Sequence, residues 1–314
     1  MLPVMSTSHA RDLQIRPVEP AEQMESLKLL FSSLTPTQQL AEARRLIQCA
    51  RDGKVTLEGL LRGEQDGRLA GVIWAQIQAG RTAVVWVPRI APGQGQRTVE
   101  ALIAAATAYL ENEGVCIAQV LHAERESPES SEFEACGFEY LAELEYMASV
   151  VTSCEEPSIA PFELETYSTT NRERFIATLE QTYDNTLDCP ALNGVRQTCD
   201  VLEGYQATGS YSPENWFLLR YEGRDAGCLL LSDHPETDQY ELVYMGLVPE
   251  ARGNRLGQSI TQFARWRTHQ AGRKRLVLAV DAKNEPARAM YEATGFARWD
   301  RRHVWVRRFP AKSK

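Results

Sequence analysis

Apolar and polar positions alternate with a period of two over residues 162–166, Phe-Glu-Leu-Glu-Thr, which predicts a strand. The spacing becomes helical over 172–182. A hairpin follows, with strands at 216–221 and 226–232 around the turn Glu222-Gly223. Farther on the pattern predicts a strand over 240–248, a helix over 256–270 closed by Gly272, an apolar strand over 275–280, a helix over 286–293 and a last strand over 302–308.

The same order occurs twice. Arg252-Gly253-Asn254-Arg255-Leu256-Gly257, Gly272 and Gly295-Phe296 are each matched 158 residues earlier, by Gln94-Gly95-Gln96-Arg97-Thr98-Val99, Gly114 and Gly137-Phe138. Upstream, Glu222-Gly223-Arg224-Asp225-Ala226-Gly227 matches Asp66-Gly67-Arg68-Leu69-Ala70-Gly71 at an offset of 156, so a two-residue insertion reconciles the two spacings. Four landmarks in one order predict two copies of one fold. We expect a first domain over 13–152, a second over 162–310, a Pro-interrupted linker over 153–161 and a disordered terminus over 1–12.

Composition narrows the function classes. The 314 residues carry a formal net charge of -8 and 24% charged residues, without the basic stripe expected of a nucleic-acid or anionic-membrane binder. No secretion signal and no run of 18 apolar residues is present, so a cytoplasmic protein without membrane contact is expected. The seven cysteines are scattered and show no CxxC pair, which predicts reduced thiols and no metal site.

The chemistry concentrates after the strand at 240–248. A glycine-bearing turn leading into a helix presents unpaired backbone N–H groups and the positive end of the helix dipole to an anion. Gly253 and Gly257 allow close backbone approach, and Arg252 and Arg255 add charge suited to a pyrophosphate. The segment is neither a Walker loop nor a dinucleotide fingerprint.

Arg252-x-x-x-x-Gly257 resembles the Q/R-x-x-G-x-G/A coenzyme A loop of the GCN5-related N-acetyltransferase (GNAT) superfamily, with Arg255 where the middle glycine usually stands. Asn284-x-x-Ala287-x-x-x-Tyr291-x-x-x-Gly295-Phe296 resembles that family's later motif, in the family's order and separation. The tandem arrangement, Glu241-x-x-x-x-Gly246-x-x-Pro249 and Leu256-Gly257-Gln258 are similar to the mycothiol synthase family. The resemblance implies an α/β fold of two tandem GNAT domains, each a mixed, mostly antiparallel twisted sheet flanked by helices. It also implies acetyl-CoA as co-substrate and a small-molecule primary amine as acceptor.

By the same resemblance, Tyr291 protonates the departing thiolate; a phenol of pKa about 10 suits a thiol of about 8.5. The backbone of Met245, Gly246 and Leu247 splays from its neighbouring strand, receives the pantetheine arm and polarises the thioester carbonyl. Gly253, Asn254, Arg255, Leu256, Gly257 and Gln258 then hold the coenzyme with Arg252 and Asn284. Glu241, which shares strand parity with Val243, Met245 and Leu247, takes the amine proton.

Read at the common offset, the first copy has Gln94, Val99, Glu126 and Phe133 where the second has Arg252, Gly257, Asn284 and Tyr291. A β-branched side chain in the loop and a phenyl without a proton to donate predict a degenerate domain. Acceptor specificity is expected from the segment 183–216, with Asp184 and Asp188 as amine ligands, whereas His234 before Pro235 reads as a loop residue. A pseudo-dimer within one chain predicts a monomer or weak homodimer. The competing reading is a non-catalytic acyl-CoA-binding scaffold of two degenerate domains.

Overall fold

The computed structural model describes residues 13–152 and 155–310; the expected disorder over 1–12, and Ser153 and Cys154 of the expected linker, lie outside the described residues. The first repeat runs β1 (Gln14–Pro17), α1 (Gln23–Leu30), α2 (Pro36–Arg51), β2 (Leu60–Gln65), β3 (Arg68–Gln78), β4 (Thr82–Val85), β5 (Arg89–Ile90), α3 (Gln96–Asn112), β6 (Ile117–His122), α4 (Pro128–Ala135) and β7 (Glu139–Val150). The second runs β8 (Phe162–Thr166), α5 (Arg172–Thr182), α6 (Thr198–Gln206), β9 (Trp216–Tyr221), β10 (Arg224–His234), β11 (Gln239–Leu247), α7 (Leu256–Gln270), β12 (Arg275–Asp281), α8 (Glu285–Ala293) and β13 (Ala297–Arg308).

Local sequence explains most of these elements. Both hairpin turns place two successive residues at positive φ, Asp66-Gly67 and Glu222-Gly223, the left-handed pair that two-residue β-hairpins require. Helix α7 buries Leu256, Ile260, Phe263 and Ala264, a stripe at helical spacing. It ends at Gly272, φ +72°, where the Arg273 N–H donates back to the Thr268 carbonyl at 3.0 Å and so satisfies an orphan helix acceptor.

The strands form one sheet in the order β1-β2-β3-β4-β6-β13-β7-β12-β11-β10-β9-β8, with β5 paired to β3. The repeats exchange their last strands. β13, from the second repeat, pairs with β6 of the first, while β7, from the first, pairs with β12 of the second. β7 and β13 then pair with each other and join the two halves into a continuous sheet. Each half keeps its own apolar core. One gathers Leu229, Leu231, Leu256, Ile260, Leu278 and Tyr291, the other Ile73, Leu102, Ile103, Ala118, Val99 and Phe133.

The 183–216 segment holds helix α6 and two short 3-10 turns, Pro190–Leu192 and Pro213–Asn215, absent from the sequence reading. The stretch ahead of α6 docks on the exchanged strands and the first repeat: Leu192 and Val195 pack with Leu144 of β7 and with Val304 and Val306 of β13, and the Arg196 guanidinium donates to the Gly80 carbonyl at 3.0 Å. Among the described residues, no helix is long and apolar enough to cross a membrane. None of their His, Cys, Asp and Glu side chains cluster as a metal site.

Candidate active site

The site begins where two parallel strands part. β11 and β12 pair at Gln239↔Arg275, Tyr240↔Leu276 and Glu241↔Val277, and no farther. Beyond Glu241 the strands diverge, and a cavity of about 430 Å³ opens between them. Met245, Gly246 and Leu247 of β11 and Asn284, Met290 and Tyr291 near or on α8 are among its walls. A larger cavity of about 1010 Å³ is lined by residues 53–58 and 76–79 and by Gly204, Ala207 and Thr208, with neither Glu241 nor Tyr291 on its wall.

The ladder with β10 settles where the β11 backbone points. The Val248 N–H donates to the opposite residue Ala226 at 2.9 Å, and Cys228 opposes Gly246 in the same register. Hydrogen-bonded and open pairs alternate in an antiparallel ladder. Gly246 therefore bonds to β10, while the N–H groups of Met245 and Leu247 face the gap that β12 has left. The Leu247 carbonyl accepts from Arg252 Nε at 3.0 Å.

The coenzyme-type loop comes next in the chain. Among the described residues, none accepts a hydrogen bond from the backbone N–H of Gly253, Asn254, Arg255, Leu256 or Gly257, which leaves an anion-ready row ahead of α7. Arg255 sits at φ +57° and ψ +15°, so it keeps the left-handed backbone that a glycine adopts without penalty. Its substitution changes the side chain and leaves the turn in place. The opening at Gly257 is close to Met290, whose atoms would lie 3.7 to 3.9 Å from an added Cβ.

Arg252 lines the cavity and also braces the loop. Besides Leu247, its guanidinium donates to the Thr182 carbonyl at 2.9 Å and the Asn185 carbonyl at 3.2 Å, so the side chain clamps the end of α5 to the loop. Asn284 caps α8, its Oδ1 accepting from the Ala287 N–H at 3.3 Å. Gln258 lies in the first turn of α7.

Tyr291 is 5% exposed and lines the cavity. Among the described residues, its hydroxyl has no hydrogen-bond partner. Burial first, and the nearby Asp188 carboxylate second, push its phenol above the usual range, as expected when the charged form loses solvent.

Two expectations about geometry are corrected. Leu230 opposes Tyr244 and Leu231 opposes Leu242, so Val243 is an extra, bulged residue. A bulge reverses the facing of the residues beyond it. Tyr240, Leu242, Met245 and Leu247 all face the α7–α8 core, whereas Val243 and Tyr244 face the α5–α6 side. Glu241 thus points to the face opposite Met245 and Leu247, not to the same one. His234, expected in a loop, ends strand β10, and its Nε2 lies 2.9 Å from Glu241 Oε2.

Glu241 shares its open face with Ala279 and with Tyr146, which stands opposite Ala279 on the exchanged strand β7. Burial raises the Tyr146 phenol, and among the charges acting on it are Arg302, Asp300 and Glu241. The two acidic candidates of the inserted segment separate. Asp188 lines the cavity, and its Oδ1 accepts from the Asp281 N–H at 2.9 Å. Asp184 is exposed and takes no part in the cavity wall. Tyr146 and His234 escape sequence reasoning as site residues because no local pattern reveals a strand exchange or a cross-strand diagonal.

In the first repeat β4 and β6 likewise pair at only three positions, Thr82↔Ile117, Ala83↔Ala118 and Val84↔Gln119. Val99 and Phe133 are 6% and 1% exposed in its core, and Phe133 packs edge-on against Phe138. Gln94 is tied to Gln65 and Thr98 by side-chain hydrogen bonds of 3.0 and 2.9 Å.

Comparison with known proteins agrees with this geometry. The acetyltransferase (GNAT) family profile matches residues 179–296. A mycothiol acetyltransferase of Paenarthrobacter aurescens is 34% identical over 104 residues, 32% of each chain, and one of Thermomonospora curvata is 31% identical over 102 residues, 32% of this chain and 34% of that one. The match thus spans about a third of these relatives' length. A GCN5-related N-acetyltransferase structure from Sphaerobacter thermophilus superposes with a TM-score of 0.62 at 15% identity, covering 96% of this chain and 98% of the other. A tandem GNAT protein from the clavulanic acid biosynthesis pathway gives 0.50 at 15% identity, covering 96% and 100%. Residues 179–296, the segment that builds this cleft, match the acetyltransferase (GNAT) family and resemble the mycothiol acetyltransferases.

Proposed function

We propose that the protein transfers an acetyl group from acetyl-CoA to the primary amine of a small molecule, by direct attack and with no covalent enzyme intermediate. The observation that carries this reading is the parting of β11 from β12 after Glu241↔Val277. It leaves two free strand N–H groups and a buried phenol around one cavity.

The loop N–H groups of residues 253–257, with Arg255, Gln258 and Asn284 beside them, hold the pyrophosphate end of the coenzyme. Arg252 keeps that loop in place. The Met245 and Leu247 N–H groups receive the thioester carbonyl and stabilise charge developing on its oxygen. Glu241 approaches from the opposite face and takes a proton from the acceptor's ammonium. The freed amine attacks, the carbon–sulfur bond breaks as the Tyr291 hydroxyl protonates the departing thiolate, and the second proton of the acylated nitrogen returns Tyr291 to its neutral form. Asp188 contributes charge to the cavity wall as an amine ligand, with Asp184 outside that wall beside Asn185.

Assay of a panel of amino sugars, aminothiols, polyamines and amino acids for CoA release tests this reading in the cytosolic, metal-free setting it assumes. Turnover of a member, lost in Glu241→Gln, supports it. Tight acetyl-CoA binding with no acetylated product from any member supports the acyl-CoA-binding scaffold instead.

A further inference from the structure

His234 and Glu241 meet across the β10–β11 ladder. Ser232 opposes Glu241 and His234 opposes Gln239, so the two side chains lie on one face of the sheet as diagonal neighbours. Their closest atoms, Nε2 and Oε2, are 2.9 Å apart, with the side chains 26% and 34% exposed. Nε2 is buried and, apart from this close approach to Oε2, meets no polar partner; the contact is one of distance and charge and not an aligned hydrogen bond.

The imidazole is held in place. An added Cβ at Gly209 would come within 2.8 Å of His234 Cε1, and the strand end is fixed by the Ser210 N–H donating to the Asp233 carbonyl at 2.7 Å. The other charges nearby are already engaged. Asp233 is gripped by Arg273 at 2.6 and 2.8 Å, Glu236 pairs with Lys54 at 3.6 Å, and Asp300 beside Tyr146 pairs with Arg302 at 2.8 Å. Glu241 is the carboxylate left facing the ring.

We propose that His234 is a positioning residue for Glu241 and the next holder of the proton that Glu241 removes from the acceptor. The proposal rests on the reading of Glu241 as base. In the first step an N–H bond of the ammonium breaks and an O–H bond forms on Glu241. In the second that O–H bond breaks and an N–H bond forms on His234 Nε2, which restores the carboxylate. The imidazolium then releases the proton to water through its exposed edge. The close contact with the Glu241 carboxylate, ahead of the opposing effect of burial, raises the affinity of the ring for a proton, as this role requires.

Titration of the full-length chain by NMR, with ¹³C-labelled histidine and glutamate, tests the pair without a known acceptor. His234→Gln assigns the ring signal, and unchanged acetyl-CoA affinity in that variant verifies its fold. The wild-type ring is expected to titrate above the ordinary histidine value of about 6.5. In Glu241→Gln its midpoint falls by roughly half a unit or more. The Glu241 carboxyl signal moves at the same pH as the ring, and that movement disappears in His234→Gln. Coincident ring midpoints in wild type and Glu241→Gln, or a carboxyl signal indifferent to His234, would overturn the proposal. Unaltered turnover in Glu241→Gln would instead remove the base reading, whatever the titrations give.

Discussion

Glu145 Oε2, on the strand that the first repeat lends to the second, lies 2.7 Å from Arg288 Nε on the helix that carries Tyr291. Its other oxygen meets Arg298 at 2.9 Å. The carboxylate is buried, with its side chain only 4% exposed. Strand β7 of the first repeat places Glu145 behind α8 and Tyr146 on the face of Glu241. On the proposed reading this gives a physical reason for keeping the first half: its exchanged strand borders the candidate site.

Glu145→Gln should therefore act on both stability and turnover. Losing a buried partner costs about 3–5 kcal/mol when both charges are buried; with Arg288 and Arg298 side chains 28% and 52% exposed, about 2 kcal/mol is expected. Denaturant unfolding measures it. Turnover should fall further than acetyl-CoA affinity, because α8 carries Tyr291 while the loop N–H groups precede α7.

Tyr291→Phe removes a hydroxyl without a protein partner, so the fold should hold to within about 0.5 kcal/mol. Turnover is expected to drop by roughly 10²-fold or more, with acetyl-CoA affinity nearly unchanged. A loss of affinity equal to the loss of turnover would place the hydroxyl in coenzyme binding rather than proton transfer.

The two glycines of the site should respond oppositely. A Cβ at Gly246 would lie 2.5 Å from Tyr244 Oη and 2.8 Å from Thr182 Cβ, so Gly246→Ala should destabilise by about 1–3 kcal/mol. Gly257 has room for one carbon, and Gly257→Ala in a helix should raise stability by up to about 1 kcal/mol and retain coenzyme binding. Gly257→Val, the residue found at Val99, should weaken acetyl-CoA binding about tenfold or more, about 1.4 kcal/mol. Thermal unfolding and titration calorimetry separate these effects.

The pH dependence of stability carries the His234–Glu241 pair. His234 binds its proton more tightly in the fold than in the unfolded chain, chiefly through Glu241. Its stabilisation is thus fully present below the ordinary histidine value of about 6.5 and fades as pH rises through the higher folded value. The melting temperature of wild type should fall across that window relative to Glu241→Gln. Parallel curves for the two proteins would contradict the pairing.

Much of this fold is legible in the chain itself. The hairpin turns at Asp66-Gly67 and Glu222-Gly223, the α7 stripe and the Asn284 cap depend on neighbours a few residues apart, and their sequence signals are local. The repeat is legible because loop and turn glycines keep their spacing after the chemistry decays. The rest depends on pairing between distant segments. Nothing within 139–150 or 297–308 says whose sheet each strand will join, since an alternating strand fits either edge. The Val243 bulge, which reverses the facing of Met245 and Leu247, is a fact of register with β10. His234 beside Pro235 resembles a loop residue because Pro ends pairing one residue later, and its diagonal neighbour is visible only once β10 and β11 are aligned.

The central claim is that the cleft between β11 and β12 is the coenzyme site and that the first repeat holds no coenzyme. Titration calorimetry of the full-length chain with acetyl-CoA tests it most directly. One molecule should bind per chain, with affinity lost in Gly257→Val and kept in a matching substitution at the first repeat's loop, Val99→Ala. Absence of binding by the folded protein, or binding that survives Gly257→Val undiminished, would contradict the account.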